Sequence, residues 1–236
     1  SGRTASSISA GFFHTCAVLD DNSMVCWGNG ADYRLGNSTN GGSHRSIPTY
    51  VESSLNFNSV VLGHDHSCGI TTDFKMYCWG SNYQEQLGDA NSWNGQTAIP
   101  VLVSTPTNRD VMGGSAGLQS ACAVLDDESV YCWGYDNDNR LNTAYECVHN
   151  DYTNGCDGDG ERNIPAEVIT PTDRSIVAIS TGTHHSCALI DNGGLYCFGQ
   201  NGNGQIGNGT TIGNGPNYVS FPTAVTLTTS DRDSDH

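Results

Sequence analysis

Four cysteine pairs with identical spacing constrain the fold of this chain more strongly than any other feature of its sequence. Nine residues separate the two cysteines of each pair, and an aromatic residue and a glycine follow the second cysteine. The pairs are Cys16 and Cys26, Cys68 and Cys78, Cys122 and Cys132, and Cys187 and Cys197. Successive first cysteines lie 52, 54 and 65 residues apart, in or just above the range typical of propellers, solenoids and other repeat arrays. The chain is therefore predicted to be one structural unit repeated four times.

The similarity between the four copies extends beyond the cysteines. A glycine stands five residues before each first cysteine, and a histidine stands two residues before it in every copy except the third, which has Ser120. The glycines are Gly11, Gly63, Gly117 and Gly182, and the histidines are His14, His66 and His185. Each copy closes on a proline that is followed three residues later by valine. These positions predict repeats at about 8–58, 59–108, 109–173 and 174–227 within one domain, 1–227, followed by an acidic polar tail, 228–236.

The composition favours short strands over helices. Only 14% of the residues are charged and 29 are glycine, which suits many tight turns. No segment keeps the apolar period of an amphipathic helix over three turns. We therefore expect an all-β fold of four propeller-type blades, each made of short antiparallel strands. The blades would form either a small closed ring or an open array that is completed between neighbouring chains.

The cysteine spacing favours disulfide bonds over zinc. Zinc ligands usually stand two to four residues apart, whereas nine residues around a tight turn place two cysteines opposite each other on a β-hairpin. We expect a disulfide within each of the four pairs, and a fifth between Cys147 and Cys156 in an insertion of the third repeat. Such bonds persist in oxidising compartments, so the protein is expected to be secreted or exposed at the cell surface. No leader sequence follows Ser1, and we expect a signal peptide to have been removed.

The negative charge argues against two classes of partner. Nine basic residues oppose 25 acidic ones, giving a formal charge of −16. Such a surface repels nucleic-acid phosphates and anionic lipids. We therefore expect no nucleic-acid binding, and the short apolar stretches predict no membrane insertion.

Taken together, the repeated elements resemble a known family. A Gly-x-x-His-[Ser/Thr]-Cys opening, an Asp-rich turn, a Tyr-Cys-Trp-Gly strand, a Gln-Leu-Gly element and a closing Pro-x-x-Val recur in order from Ile8 to Val225. This pattern is similar to the repeats of the regulator of chromosome condensation family, whose members fold as β-propellers, usually of seven four-stranded blades. The best-known member is a nuclear exchange factor for a small GTPase. Because this chain is acidic and rich in cysteine, it looks more like extracellular proteins that use such repeats as scaffolds or recognition modules.

Two sets of recurring side chains are interpreted as structural rather than ligand-binding. The aromatic residues after the second cysteines are predicted to fill the space between adjacent blades instead of forming platforms for sugars or peptides; they are Trp27, Trp79, Trp133 and Phe198. The three recurring histidines are predicted to tie a strand to a loop by hydrogen bonds. Metal binding is the less favoured reading, because Ser120 suits the first role and is a poor metal ligand.

The sequence contains no supported catalytic constellation. Residues 113–117 match the Gly-x-Ser-x-Gly pattern of serine hydrolases, but a β-hairpin follows where that motif requires a helix. We therefore expect no enzymatic activity and assign no catalytic residues.

Acidic loops of the third repeat offer weak candidates for a cation site. Asp136, Asp138, Asp157 and Asp159 lie on two loops at alternate positions, an arrangement that suits Ca²⁺, although neither loop fits the complete calcium-binding motif. Solvated turns are the alternative interpretation. We expect no cofactor, with calcium as the exception these loops leave open.

Two sequons provide candidate glycosylation sites. Asn37 and Asn208 each follow the Leu-Gly or Ile-Gly element of their repeat. In a secreted eukaryotic protein, this shared placement favours N-glycosylation at both.

The chain ends predict self-association. Gly11 has only ten residues before it, so the first repeat is expected to lack the Pro-x-x-Val strand that precedes the other opening glycines. Conversely, Phe221, Pro222, Val225 and Leu227 would form a strand with no following hairpin. We expect this strand to complete the first blade of a neighbouring chain, giving a head-to-tail filament, or to return and close a four-bladed ring. The predicted role is structural; the alternative is a secreted module that binds a glycan or protein ligand through one loop face.

Overall fold

The computed structural model contains four antiparallel sheets of four strands each. It describes residues 2–38, 42–91, 95–136, 140–143, 156, 160–169, 174–211 and 218–227. Each sheet contains four strands that are consecutive in the chain and corresponds to one repeat, so the sheets are named blades 1 to 4. The predicted all-β architecture of propeller-type blades is confirmed.

The strand bounds are closely equivalent in the four blades. Blade 1 contains β1 (Ala5–Ala10), β2 (His14–Leu19), β3 (Met24–Gly28) and β4 (Arg45–Tyr50), with a short 3₁₀ helix at Ala31–Tyr33. Blade 2 contains β5 (Phe57–Leu62), β6 (His66–Thr71), β7 (Met76–Ser81) and β8 (Gln96–Leu102). Blade 3 contains β9 (Val111–Ala116), β10 (Ser120–Leu125), β11 (Val130–Tyr135) and β12 (Glu161–Glu167). Blade 4 contains β13 (Ile176–Thr181), β14 (His185–Ile190), β15 (Leu195–Gln200) and β16 (Tyr218–Ala224). Blades 1 and 2 begin slightly before the repeat starts predicted at 8 and 59.

The second and third strands of every blade form the cysteine hairpin. Cys16 lies directly opposite Cys26, and the same register recurs in the other blades. All four pairs form the predicted disulfides, and the paired Cα atoms are 4.1 Å apart. Cys156 is also disulfide-bonded, whereas its predicted partner Cys147 lies outside the described residues.

A glycine near the end of each third strand allows this strand to shift register against the fourth. The φ angles of Gly28, Gly80, Gly134 and Gly199 are 106°, 108°, 99° and 100°, a region that residues with a Cβ atom rarely adopt. A Cβ atom at Gly80 would also lie 2.7 Å from the carbonyl oxygen of Asp65. The glycine that follows each aromatic residue is therefore required by the backbone.

The fourth strands overturn the prediction about the chain ends. In blade 1, β4 pairs with β3, so the first repeat has its own proline-containing strand. At the other end, Phe221 and Pro222 belong to β16, which pairs with β15 of the same blade, and the Val225 N–H donates to the Leu195 carbonyl at 2.9 Å. Leu227 follows this strand and is exposed. The prediction was wrong because it assigned each Pro-x-x-Val strand to the next repeat, whereas the chain returns to its own hairpin.

Most of the apolar core lies between adjacent blades. Cys16, Leu35 and Val51 of blade 1 pack with Phe57 and Trp79 of blade 2. The equivalent positions form two more clusters, one between blades 2 and 3 and one between blades 3 and 4. The described sheets do not close into a ring. The fold is thus an open array of four blades. Within the described residues, blade 1 has a neighbouring blade only on the side of blade 2, and blade 4 only on the side of blade 3.

Removing one hairpin disulfide should destabilise the array without changing its architecture. Cys68→Ala together with Cys78→Ala should lower the free energy of unfolding by about 2–3 kcal/mol, because the cross-link restricts the unfolded chain. The matched change in blade 4, Cys187→Ala with Cys197→Ala, closes a loop of the same length and should cost a similar amount. Urea unfolding measures both, and a loss well below 1 kcal/mol in each would contradict the loop-closure argument.

Candidate interaction site on the inner-turn face

Four equivalent turns lie side by side at one end of the first strands. They comprise residues 11–14, 63–66, 117–120 and 182–185, and together they define the inner-turn face. The opening glycines bring the turns into close contact. A Cβ atom at Gly11 would lie 2.5 Å from the carbonyl oxygen of Gly63, and one at Gly63 would lie 2.6 Å from that of Gly117. In the first three turns glycine is needed because the backbones of adjacent blades approach too closely for a side chain, whereas at Gly182 a Cβ atom would meet the His185 ring of its own turn.

A cleft occupies the centre of the inner-turn face. Its volume is about 240 Å³, and equivalent residues of all four blades line it. Besides the opening glycines, these include Phe12, His64, Leu118 and Thr183, each of which directly follows its glycine. Because these four side chains differ in chemistry, a repeated backbone presents a different group from each blade.

The exposed aromatic residues lie at the blade 1 side of this cleft. Phe12 is 68% exposed and Phe13 is 53% exposed. Their ring centroids are 4.6 Å apart, and the Phe12 ring lies 4.7 Å from the imidazole of His64 in blade 2. Aromatic side chains held in this way can contribute much of the energy of a protein interface.

Buried polar side chains reach across from neighbouring blades to hold two of these turns. The Nη1 atom of Arg34 donates to the carbonyl oxygen of His64 at 3.0 Å. The equivalent Arg140 donates in the same way to the carbonyl oxygen of Thr183 at 2.8 Å. Both arginines are almost fully buried, so each fixes the turn of the following blade in one position.

The recurring histidine is hydrogen-bonded in the first interface, but it joins strands of two blades, β2 and β6, and does not tie a strand to a loop as predicted. The Nε2 atom of His14 lies 2.8 Å from the Ser67 hydroxyl, and that hydroxyl donates to the Arg34 carbonyl at 2.7 Å. Since the single hydroxyl proton points to Arg34, the His14 Nε2–H must donate to Ser67. Burial, aided by the charge of Arg34, lowers the pKa of His14 to about 3.

The later repeats vary this arrangement. In blade 3, Ala121 replaces Ser67, and the Nε2 atom of the fully buried His66 has no hydrogen-bond partner among the residues that the structure describes. Between blades 3 and 4, Ser120 replaces the histidine, while Ser186 donates to the Arg140 carbonyl at 2.9 Å. No group of three or more potential metal ligands occurs within the described residues.

The aromatic residues after the second cysteines pack between blades, as predicted. Trp79 and Trp133 are fully buried, and their indole N–H groups donate to the carbonyls of Arg34 and Gln86 at 3.1 and 2.9 Å. Phe198 occupies the same position in blade 4. Trp27, in the first of the four described blades, is only partly buried.

The remaining candidates lie apart from the inner-turn face or have other partners. Asp136 is buried, and its carboxylate accepts a hydrogen bond from the Leu141 N–H at 3.2 Å, which closes the loop between them. In blades 2 and 4, a side-chain amide oxygen accepts the equivalent hydrogen bond. The other calcium candidates, Asp138, Asp157 and Asp159, lie outside the described residues.

The hydroxyl of Ser115, in the hydrolase-like motif, accepts a hydrogen bond from the Thr181 N–H at 2.9 Å. Of the two glycosylation candidates, which stay predictions, Asn37 is buried and Asn208 is partly exposed.

The sequence reasoning did not single out Phe12, Phe13 or His64. The available signal was variation at a fixed register, because the two residues after each opening glycine differ in every repeat. The recurring residues by themselves do not reveal this variation.

Comparison with known families agrees with the geometry of the blades. One model of the regulator of chromosome condensation (RCC1) repeat matches residues 5–34, 57–86 and 176–205, and a second matches residues 21–70, 75–124 and 127–189. The chain belongs to the RCC1 repeat family. Within the described residues of this RCC1-repeat chain, no helix is long and apolar enough to cross a membrane.

The curated relatives are much longer than this chain. Human E3 ubiquitin-protein ligase HERC2 is 28% identical over 212 residues, which cover 86% of this chain and 4% of HERC2. Protein pim1 of Schizosaccharomyces pombe is 26% identical over 212 residues, which cover 86% of this chain and 38% of pim1. The chain thus spans less than half the length of either relative.

A solved structure shows the same fold. Prp20p of Saccharomyces cerevisiae, described with its binding properties to Gsp1p and histones, superposes with a TM-score of 0.79 at 18% identity. The superposition covers 98% of this chain and 52% of Prp20p. The four blades therefore correspond to about half of that chain.

The unusual pKa of His14 predicts acid sensitivity. The ring stays neutral in the folded protein but gains a proton in the unfolded chain below its ordinary pKa of 6.5, so stability is lost as the pH falls. Between about pH 6 and pH 4, this residue should lower the free energy of unfolding by up to about 1.4 kcal/mol per pH unit. His14→Gln keeps an N–H donor but cannot titrate, and its stability should fall less steeply in chemical unfolding. Parallel curves for the two proteins would show that His14 does not titrate in this way.

Ser67 of blade 2 and Ala121 of blade 3 occupy equivalent positions. Replacing the serine by alanine and the alanine by serine should change the free energy of unfolding in opposite directions. Ser67→Ala removes the hydroxyl between His14 and Arg34 and should cost about 1–3 kcal/mol, because both partners stay buried. Ala121→Ser gives His66 a partner and should stabilise the protein by about 0.5–1.5 kcal/mol. Chemical unfolding measures both variants. A destabilising Ala121→Ser would mean that His66 needs no partner.

Proposed function

We propose that this protein is an extracellular protein-interaction module whose inner-turn face binds its partner. The observation that carries this proposal is the contrast between fixed and variable residues at that face. The opening glycines and the buried arginines hold the turns, while the presented side chains change from blade to blade. Such a division between scaffold and contact residues is typical of recognition surfaces.

A protein partner fits the chemistry of the inner-turn face. Phe12 and Phe13 form an exposed apolar patch beside His64, and the chain carries a formal charge of −16. We expect a partner that places an apolar side chain against this patch and carries positive charge around it. The relative Prp20p is described as binding Gsp1p and histones, which supports a protein as the class of ligand. We do not transfer those particular partners, because the similarity extends to the fold alone.

The extracellular location is proposed from the disulfides. Four buried bridges recur at one position of each blade, which favours an oxidising compartment. A filament formed by exchange of the β16 strand is not proposed, because that strand is paired within blade 4.

Selection from a random-peptide phage library on the wild-type protein tests the proposed surface. Peptides that are enriched should bind a Phe12→Ser, Phe13→Ser double variant about tenfold or more weakly, since central aromatic contacts dominate small interfaces. Both side chains are exposed, so the double variant should retain the stability of the wild type.

Ile47→Ser serves as the matched control. Ile47 is an equally exposed apolar residue of blade 1, but it lies on β4, away from the inner turns. Selected peptides should bind this variant as they bind the wild type. Enriched peptides that bind the Phe12 and Phe13 variant without loss would overturn the assignment of this face.

A further inference from the structure

Four residues, one in each blade, stand two places after a fully buried leucine or isoleucine. They are Asn37, Asp89, Thr143 and Asn208. The two asparagines begin the sequons of the chain. Asn37 is only 3% exposed, whereas the residues at the other three positions are partly exposed. Burial therefore distinguishes two sequons that have the same place in the repeat.

The side chain of Asn208 forms a local turn through its oxygen alone. Its Oδ1 atom accepts hydrogen bonds from the Thr210 N–H at 3.1 Å and from the Thr210 hydroxyl at 2.8 Å. Among the residues that the structure describes, its Nδ2 atom donates to no acceptor, and this atom is accessible to solvent. The nitrogen that would carry an N-linked glycan is therefore not needed by the fold.

Asp89 shows that this turn requires no side-chain nitrogen. Its Oδ1 atom accepts the N–H of Asn91, again the residue two places later, at 3.2 Å. Blade 3 lies against this loop, since the Ala90 N–H donates to the Asn163 carbonyl at 3.0 Å. Asp89 nevertheless remains partly exposed and Ala90 is exposed. Exposure at this position is thus a property of the loop, and it does not depend on whether another blade follows.

The side chain of Asn37 lies inside the interface between blades 1 and 2. Its Nδ2 atom is buried and has no hydrogen-bond partner within the described part of the chain. The neighbouring Gly36 lies against Trp79 and Val51, where a Cβ atom would be 2.8 Å from the nearest atom of each. A sugar on the Asn37 nitrogen would need space that this close-packed interface already fills. A chain modified at Asn37 could not reach this fold.

We propose that Asn208 carries an N-linked oligosaccharide and that Asn37 stays unmodified in the folded protein. In this group transfer, the Nδ2 atom of Asn208 forms a bond to the anomeric carbon of a lipid-linked oligosaccharide. The bond between that carbon and the lipid phosphate breaks, the phosphate leaves with the electron pair, and the amide nitrogen loses one proton. Thr210 supplies the hydroxyl that the sequon requires.

This modification rests on the extracellular location proposed above, because only exported chains meet the oligosaccharide donor. It is independent of the inner-turn face. A test in which export is imposed therefore separates the site from the natural location of the protein.

Secretion of the 236-residue chain from a eukaryotic cell line, directed by an added signal peptide, tests the site. Mass spectrometry of peptides from the secreted protein should find a glycan on Asn208 and an unmodified Asn37. Peptide N-glycosidase should then convert Asn208 alone to aspartate. Asn208→Gln should abolish the glycan and unfold at the same denaturant concentration as the enzymatically deglycosylated wild type.

A gained site tests the loop geometry at a second position. Asp89→Asn together with Asn91→Thr builds a sequon at the equivalent place in blade 2. Because this place is partly exposed and its turn uses only the side-chain oxygen, the double variant should be secreted with a second glycan. Asp89→Asn alone is the matched control, since it lacks the hydroxyl of a sequon and should gain no glycan.

Three results would overturn the proposal. The first is secreted protein in which Asn208 is unmodified, and the second is folded, secreted protein with a glycan on Asn37. The third is a secreted double variant without a second glycan. Peptide binding by the inner-turn face is measured separately, and none of these results would change it.

Discussion

The packing of an aromatic side chain from one blade against the preceding blade is the contact on which the rest of the structure depends. At the first interface, Trp79 lies over Gly36 and donates to the Arg34 carbonyl at 3.1 Å. Each blade is a thin sheet that cannot bury an apolar face alone. The contact therefore sets the spacing between blades and creates the core at the same time.

The disulfides support this contact from within each blade. Cys16 and Cys26 are fully buried and lie on the face that meets blade 2. The bridge ties together the two strands that carry this face. A hairpin whose strands are cross-linked keeps its side chains in register, so the same cysteine spacing can support the same interface in successive repeats.

The repeat also separates stability from recognition. Arg34 and Arg140 satisfy the carbonyl oxygens of the following turns and hold them, whereas Phe12 and Leu118 line the cleft. Changing a presented side chain is therefore expected to affect binding more than folding. On the outer sides of blades 1 and 4, residues at positions that are buried between the other blades are exposed, as Ile8 and Leu189 show.

Much of the fold could be predicted from the sequence because the repeat encodes it locally. The nine-residue cysteine spacing predicts the hairpin, its disulfide and its register, since a tight turn leaves few alternatives for residues so close in the chain. The recurring Trp-Gly pair likewise predicts an aromatic residue packed between blades. Tertiary structure alone decided where each Pro-x-x-Val strand pairs, because strands on both sides of a long loop are possible partners and only packing selects one. It also decided that Phe12, His64, Leu118 and Thr183 meet around one cleft, because residues more than fifty positions apart become neighbours only when the blades pack around a common axis.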